Sequence, residues 1–295
     1  MSNEAFHTWV PHKKANLKTK ALHTVRVELH RAIQIVGATG RSYSPPSIED
    51  AYGSLHWHGD SGIMMSQVVG TDQRIYAGLS FSKFVLGIYH EDGSEIDSLH
   101  LNGYRFAEAE AWFRKVLNNA GLDGNVLSLD LPYEIPEYGT QSDQEFRFKH
   151  KKVFSEFSKL YENAALVLGH YQRNNSKNAT EMKCWPHHFD LAIQLIYDVD
   201  GEPDQKNYIG LGFSPGDDTY KRPYYYINLW PYPDIKEQDL PSFQGGSWNT
   251  KGWFGAALDI KSIKKTNETV RQTQLVKDFY DITLKAIFKL INKET

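Results

Sequence analysis

A single cysteine, Cys184, among 295 residues leaves no disulfide that can close within this chain. The opening Met-Ser-Asn-Glu-Ala-Phe-His lacks the basic and apolar regions of a secretory signal. A cytoplasmic location is therefore expected, and the Asn-x-Ser/Thr tripeptides at Asn174, Asn178 and Asn267 are chance matches. There is no excess of either charge sign: 33 Lys plus Arg stand against 36 Asp plus Glu, a net of -3. Nucleic acid and anionic membrane are excluded as partners, because both require a surplus of positive charge. A mean hydropathy of -0.53 argues against a membrane span, and 40% hydrophobic with 23% charged residues describes a soluble globular protein. Also missing are Gly-x-Gly-x-x-Gly, the phosphate-binding Gly-x-x-x-x-Gly-Lys, His-Glu-x-x-His and Cys-x-x-Cys. Dinucleotide redox chemistry and nucleotide hydrolysis thus have no support. Cys184 reads as a small buried hydrophobe despite His187 and His188 nearby, and Lys261 to Lys265 as a solvated basic end.

What the chain does contain is self-similarity. Arg31-Ala-Ile-Gln-Ile-Val-Gly37 returns as Asn163-Ala-Ala-Leu-Val-Leu-Gly169, and Tyr76-Ala-Gly-Leu-Ser-Phe-Ser82 as Tyr208-Ile-Gly-Leu-Gly-Phe-Ser214, both at an offset of 132. Such spacing predicts gene duplication. Leu22, Val25, Leu29, Ala32, Ile33 and Val36 recur at helical intervals, as do Val153, Phe157, Leu160, Tyr161, Ala164 and Leu168. Gly37 and Gly169 are placed as C-terminal caps of these helices.

Strands are expected near 58 to 69, 74 to 81, 84 to 90 and 95 to 101, with Asp92-Gly93 as a hairpin turn, then a helix over 104 to 120 ended by Gly121. The second copy repeats this with strands near 188 to 198, 208 to 213, 223 to 230 and 252 to 261 and a helix over 269 to 292. A strand near 125 to 135 joins the copies, and 172 to 183 reads as a solvated loop. The expected fold is α+β: an internally duplicated helix, antiparallel-strands, helix unit, mainly antiparallel sheet with helices packed on one side. The units are 1–122 and 153–295, joined by a strand and loop over 123–152, forming one compact body.

Two patterns carry candidate chemistry. Residues two apart on a strand share a face, so His56, His58 and Asp60 project together, as do His188 and Asp190, with His187 pointing away. Convergence of the two His-x-Asp pairs would suit zinc, manganese or iron. The plainer alternative is that each Asp accepts a hydrogen bond from its neighbouring His. Second, ten aromatics fall in the 35 residues from Tyr220 to Phe254, about double the chain's 13%. On a strand, Tyr224, Tyr226, Asn228 and Trp230 form an amphipathic face opposite Tyr225, Ile227 and Leu229, suited either to an aromatic ligand pocket or to a second core layer. Gly59-Asp60-Ser61-Gly62 resembles a serine-hydrolase signature, but the last forty residues hold no histidine to complete it, and Ser61 reads as a turn or strand residue.

Three segments together carry a family resemblance: Leu29-His-Arg-Ala-Ile-Gln-Ile-Val-Gly37 with Pro45-Pro46, Trp185-Pro-His-His-Phe-Asp-Leu-Ala192, and Gly212-Phe-Ser-Pro-Gly216 leading to Tyr224-Tyr-Tyr-Ile-Asn-Leu-Trp-Pro-Tyr-Pro233. Over most of its length the chain resembles the DUF5996-type proteins, a bacterial family of unknown function. It departs from that pattern where a larger aromatic would precede the proline of Gly212–Gly216. The resemblance implies a bacterial cytosolic protein and no catalytic residue list. The leading expectation is a small-molecule-binding protein with an aromatic pocket near His188, Asp190, Tyr224, Tyr226, Asn228 and Trp230. The alternatives are a metal-dependent hydrolase using His56, His58, Asp60, His188 and Asp190, in which the bound water attacks, and a non-catalytic interaction protein. Oligomeric state is open.

Overall fold

The computed structural model describes residues 8–12, 18–45, 48–71, 73–130, 133–135, 143–199, 202–266 and 268–292. The chain is α+β, with antiparallel sheets. It divides into two compact units, Leu17–Leu160 with Lys183–Phe189 and Met1–Asn16 with Tyr161–Met182 and Asp190–Thr295. The border falls inside helix α3 (Lys151–Asn174), so the units do not follow the sequence copies residue for residue.

The unit of α1 (Thr19–Tyr43) holds the strands β1 (His56–His58), β2 (Ile63–Met65), β3 (Ile75–Ser80), β4 (Val85–His90) and β5 (Glu95–His100), each paired with the next. Helix α2 (Phe106–Asn119) follows, and β6 (Lys183–Trp185) bridges back through Cys184 to Leu55. Gly93 takes a φ of +86° in the β4–β5 turn, as Asp-Gly turns require. Helix α2 begins where the Glu108 carboxylate accepts from the Arg105 N–H at 2.7 Å and ends before Gly121, at φ +84°. Every residue of α1 from Glu28 to Gly40 is buried, so the apolar stripe of the sequence is only part of what this helix covers.

Gly37 does not cap α1, which runs on to Tyr43. It is instead a point of close approach: a Cβ there would lie 2.8 Å from the Pro186 ring. Gln34 and His30, one and two turns earlier on the same face, both donate to the Pro186 carbonyl, at 2.8 and 2.7 Å. Phe189 closes a turn on the Trp185 carbonyl at 2.6 Å, and its ring stacks on His30 at 5.4 Å. Gly169 likewise lies within its helix, since α3 continues to Asn174.

The other unit contains β7 (Asp190–Val199), β8 (Glu202–Ser214), β9 (Tyr224–Trp230), β10 (Gly246–Asn249) and β11 (Gly255–Asp259), in the order β10-β11-β9-β8-β7, then α4 (Ile260–Ile263) and α5 (Thr269–Ile291). Strand alternation sorts the faces: Leu191, Ile193, Leu195, Ile209, Leu211, Phe213, Tyr225, Ile227 and Leu229 are all buried. Helix α5 packs on β9 and β11, and its Tyr280 donates to the Gly212 carbonyl of β8 at 2.9 Å. Each fully buried apolar side chain contributes about 1.5–3 kcal/mol.

Three sequence expectations change. The strand over 58 to 69 breaks at a turn through Gly59–Gly62, where the Gly62 N–H donates to the His58 carbonyl at 2.9 Å and Gly62 takes φ +64°. The joining segment near 125 to 135 shows a short 3-10 turn, Gly124–Val126, and no strand among its described residues; 131–132 lie outside them. Strand β10 falls between the strands expected over 223 to 230 and 252 to 261, because its run of Gly-Ser-Trp-Asn has no apolar alternation of its own. Pro46 and Asn267 also lie outside the described residues.

Burial pushes the His30 imidazole down to about 4, reinforced by the positive charge available on Arg26, His188 and His187. The unfolded chain therefore takes up this proton near pH 6.5 while the native state resists until about 4, so stability falls as pH drops across that window. Wild type should lose about 3 kcal/mol more than His30→Gln between pH 7 and pH 4. Urea titrations at both pH values measure this; parallel slopes for the two proteins would contradict it.

Candidate functional site

The face of β7, β8 and β9 opposite Leu191, Ile193, Leu211 and Tyr225 collects most of the aromatic candidates. Register sets Ala192 opposite Gly212 and Gly212 opposite Tyr226, with Gln194, Gly210 and Asn228 forming the next row. Glycine at 212 is what lets the Tyr226 ring lie flat across β8, because a Cβ there would sit 2.4 Å from the ring carbon bearing the hydroxyl. Stretched over two strands, the Tyr226 hydroxyl donates to the Asp190 carboxylate at 2.5 Å. Asn228 covers Gly210 in the same manner, its Oδ1 2.2 Å from where a Cβ would be. Burial and then the Asp190 charge hold the Tyr226 phenol well above its ordinary range, so it stays a protonated donor.

A second phenol and carboxylate pair adjoins the first. Tyr224 donates to Asp217 at 2.6 Å, and Asp217 also accepts the N–H groups of Thr219 and Tyr220 at 2.6 and 2.7 Å. Burial and the Asp217 bond raise the Tyr224 phenol strongly. Rings of Tyr220, Tyr224 and Tyr226 form a ladder with centroids 4.6 and 6.1 Å apart. Trp230 ends the face, 55% exposed and edge-on to Tyr232 at 4.8 Å. Chemically, the face offers carboxylate acceptors, an amide and flat apolar surface, which suit a ligand that donates hydrogen bonds.

The family pattern of DUF5996 matches residues 15–293, nearly the whole chain. The protein belongs to this family of unknown function. No curated protein and no solved structure matches it. Among the described residues of this DUF5996 chain, no helix is long and apolar enough to cross a membrane.

The His-x-Asp candidates are not arranged as strand alternation predicts. His56 and His58 lie on β1, but Asp60 falls in the turn beyond it, exposed, so it does not share their strand face. His56 is half-buried and meets the Gln67 amide at 2.6 Å. His58 is exposed and edge-on to Tyr76 at 6.1 Å; desolvation and then His56 lower its pKa, against the pull of Asp60. Strand β7 starts at Asp190, after the turn of Trp185–Phe189, so alternation does not reach His187 and His188. Their rings do not diverge but lie tilted against each other, 4.3 Å apart, with His187 also against Tyr133 at 4.7 Å. His188 and Asp190 fall in different units. Among the described residues no three His, Cys, Asp or Glu side chains gather as a metal-holding group, so the set His56, His58, Asp60, His188 and Asp190 is not assembled. Ser61 is an exposed turn residue whose hydroxyl donates to the His58 carbonyl at 3.2 Å.

Asp217, Gln194 and the paired glycines 210 and 212 were not singled out from sequence. The available signal was Gly-x-Gly on β8 beside Tyr-x-Asn on β9, which fits flat side chains lying over bare backbone.

Loss of the charge-assisted bond in Tyr226→Phe should cost about 1.5–3 kcal/mol. Gly212→Ala should also destabilise by displacing the ring, and the double variant should cost less than the sum, because both break the same contact. Guanidinium unfolding of the four proteins checks this, and strict additivity would contradict the shared contact.

Proposed function

We propose that this DUF5996 protein is a cytoplasmic small-molecule-binding protein whose ligand lies on the face of β7, β8 and β9 that carries Tyr226 and Asn228. The observation that carries the reading is the Tyr226–Asp190 bond laid over Gly212. A carboxylate on a half-buried sheet face is costly to desolvate, and the bond donated by the Tyr226 phenol offsets part of that cost. Asp190 and Asn228 fix the polar end of the ligand, while Tyr224, Tyr226 and Trp230 supply flat contact area. The preferred ligand is a small aromatic or heterocyclic molecule that presents an amine or amidine to Asp190.

We also infer that the two units derive from a duplicated ancestor. In support, the segments matched at an offset of 132 fall on β3 and β8, and the neighbour orders β2-β3-β4-β5 and β7-β8-β9-β11 correspond.

Thermal-shift screening of aromatic amines and amidines, followed by calorimetry on the hits, tests the ligand reading. Binding should weaken more than tenfold in Asp190→Asn and in Asn228→Ala, both checked for folding by circular dichroism, and remain unchanged in Lys261→Ala. Hits whose affinity ignores Asp190 and Asn228 would refute the assignment.

A further inference from the structure

Helix α1 buries two arginines, Arg26 and Arg31, and the fold treats them differently. Arg31 lies 3.5 Å from the Glu28 carboxylate, donates to the Gln144 carbonyl at 2.7 Å and rests over the Phe146 ring, 4.6 Å from its centroid. Arg26, only 5% exposed, bonds through Nη2 to His23 Nδ1 at 3.1 Å. The arginine must be the donor in that bond, because a guanidinium has no acceptor. Its Nε and Nη1 are both buried and have no hydrogen-bond partner, and among the described residues no carboxylate pairs with it.

A guanidinium keeps its charge when buried, and a buried charge with donors unmet is among the costliest groups a fold can hold. Native structures supply acceptors to such donors, as this helix does for Arg31. The surroundings of Arg26 are basic. His23, Arg26 and His30 follow at i, i+3 and i+7 on one face of α1, and His30 is bonded to the turn of Trp185–Phe189, which carries the His187–His188 pair. Burial first, and then the charges of Arg26, His188 and His187, hold the His30 imidazole down against the pull of its bond to Pro186. His23, the side chain bonded to Arg26, is exposed, and so is His188, so solvent reaches this face. Basic groups, a fork of N–H donors and access from solvent together suit an oxyanion.

We infer that Arg26 anchors the oxyanion of a small ligand, a phosphate or carboxylate group, on the face of α1 between His23 and the Trp185–Phe189 turn. One edge of the guanidinium is formed by Nε and Nη2, a second by Nη1 and Nη2. Because Nη2 carries a hydrogen on each edge, the bond to His23 leaves the other edge whole, with two parallel N–H groups for two oxygens. The site belongs to the α1 unit and goes beyond the amine-binding face proposed for β7, β8 and β9.

Calorimetric titration of the full-length protein with sodium phosphate and, separately, with sodium acetate, each against chloride at matched ionic strength, tests this. At least one of the two anions should saturate a single site per chain. Tighter phosphate binding marks a phosphorylated ligand, and tighter acetate binding a carboxylate. Arg26→Gln, checked for folding by circular dichroism, should weaken binding at least tenfold. Arg26→Lys should weaken it by a smaller factor, since it keeps the charge and loses the two-pronged edge. Lys261→Ala should leave it unchanged. Should Arg26→Gln fail to fold, Arg26→Lys carries the comparison. The absence of a saturable site for either anion, or affinity that the Arg26 variants share with wild type, overturns the assignment.

Discussion

Irregular chain buried against a helix must have its peptide groups satisfied, and here side chains do it. Gln34 and His30 on α1 meet the Pro186 carbonyl, Asn163 on α3 meets both polar groups of Val10, and Gln272 on α5 meets both of His12. Without these donors and acceptors the Trp185–Phe189 turn and the Thr8–His12 segment would bury bare backbone, which native structures avoid. Polar residues in otherwise apolar helices are thus a condition of each unit's packing, not a flaw in its core.

Glycine plays the matching role on the sheets. In the α1 unit, Tyr89 lies against Gly78 and Gly87, where added Cβ atoms would come within 2.8 and 2.6 Å of it. In the α5 unit, Tyr226 lies over Gly212 and Asn228 over Gly210. Each sheet therefore has side chains packed on its glycine-bearing face. Only in the α5 unit does that surface bring a phenol to a carboxylate, Tyr226 to Asp190, among the described residues, and the functional proposal rests on that difference.

Much of the fold was legible because periodicity is local. The alternation of Tyr225, Ile227 and Leu229 with Tyr224, Tyr226 and Asn228 predicts both faces of β9, and Asp92-Gly93 predicts the β4–β5 hairpin. Where the reading failed, a remote partner had overruled a local signal. Gly37 looked like a helix cap because glycine often ends helices, yet it is kept small by Pro186, 149 residues away. Asp60 and His188 looked like strand residues because of the His-x-Asp spacing, yet tight turns at Gly59–Gly62 and Trp185–Phe189 break the alternation. Asn163 lay within a matched segment with no hint that it grips Val10, since nothing near it in sequence shows what docks there.

The sequence by itself determined the α+β class, the antiparallel strands, the faces of β9 and membership of the family, all of which follow from composition, short-range periodicity and motif. Tertiary structure alone decided that the candidate metal ligands do not gather, that Tyr226 reaches Asp190 across two strands, and that α3 and α5 clasp a distant segment. The division is physical: strand and helix periods are set within a few residues, whereas hydrogen bonds and close approaches join atoms whose separation along the chain carries no signal.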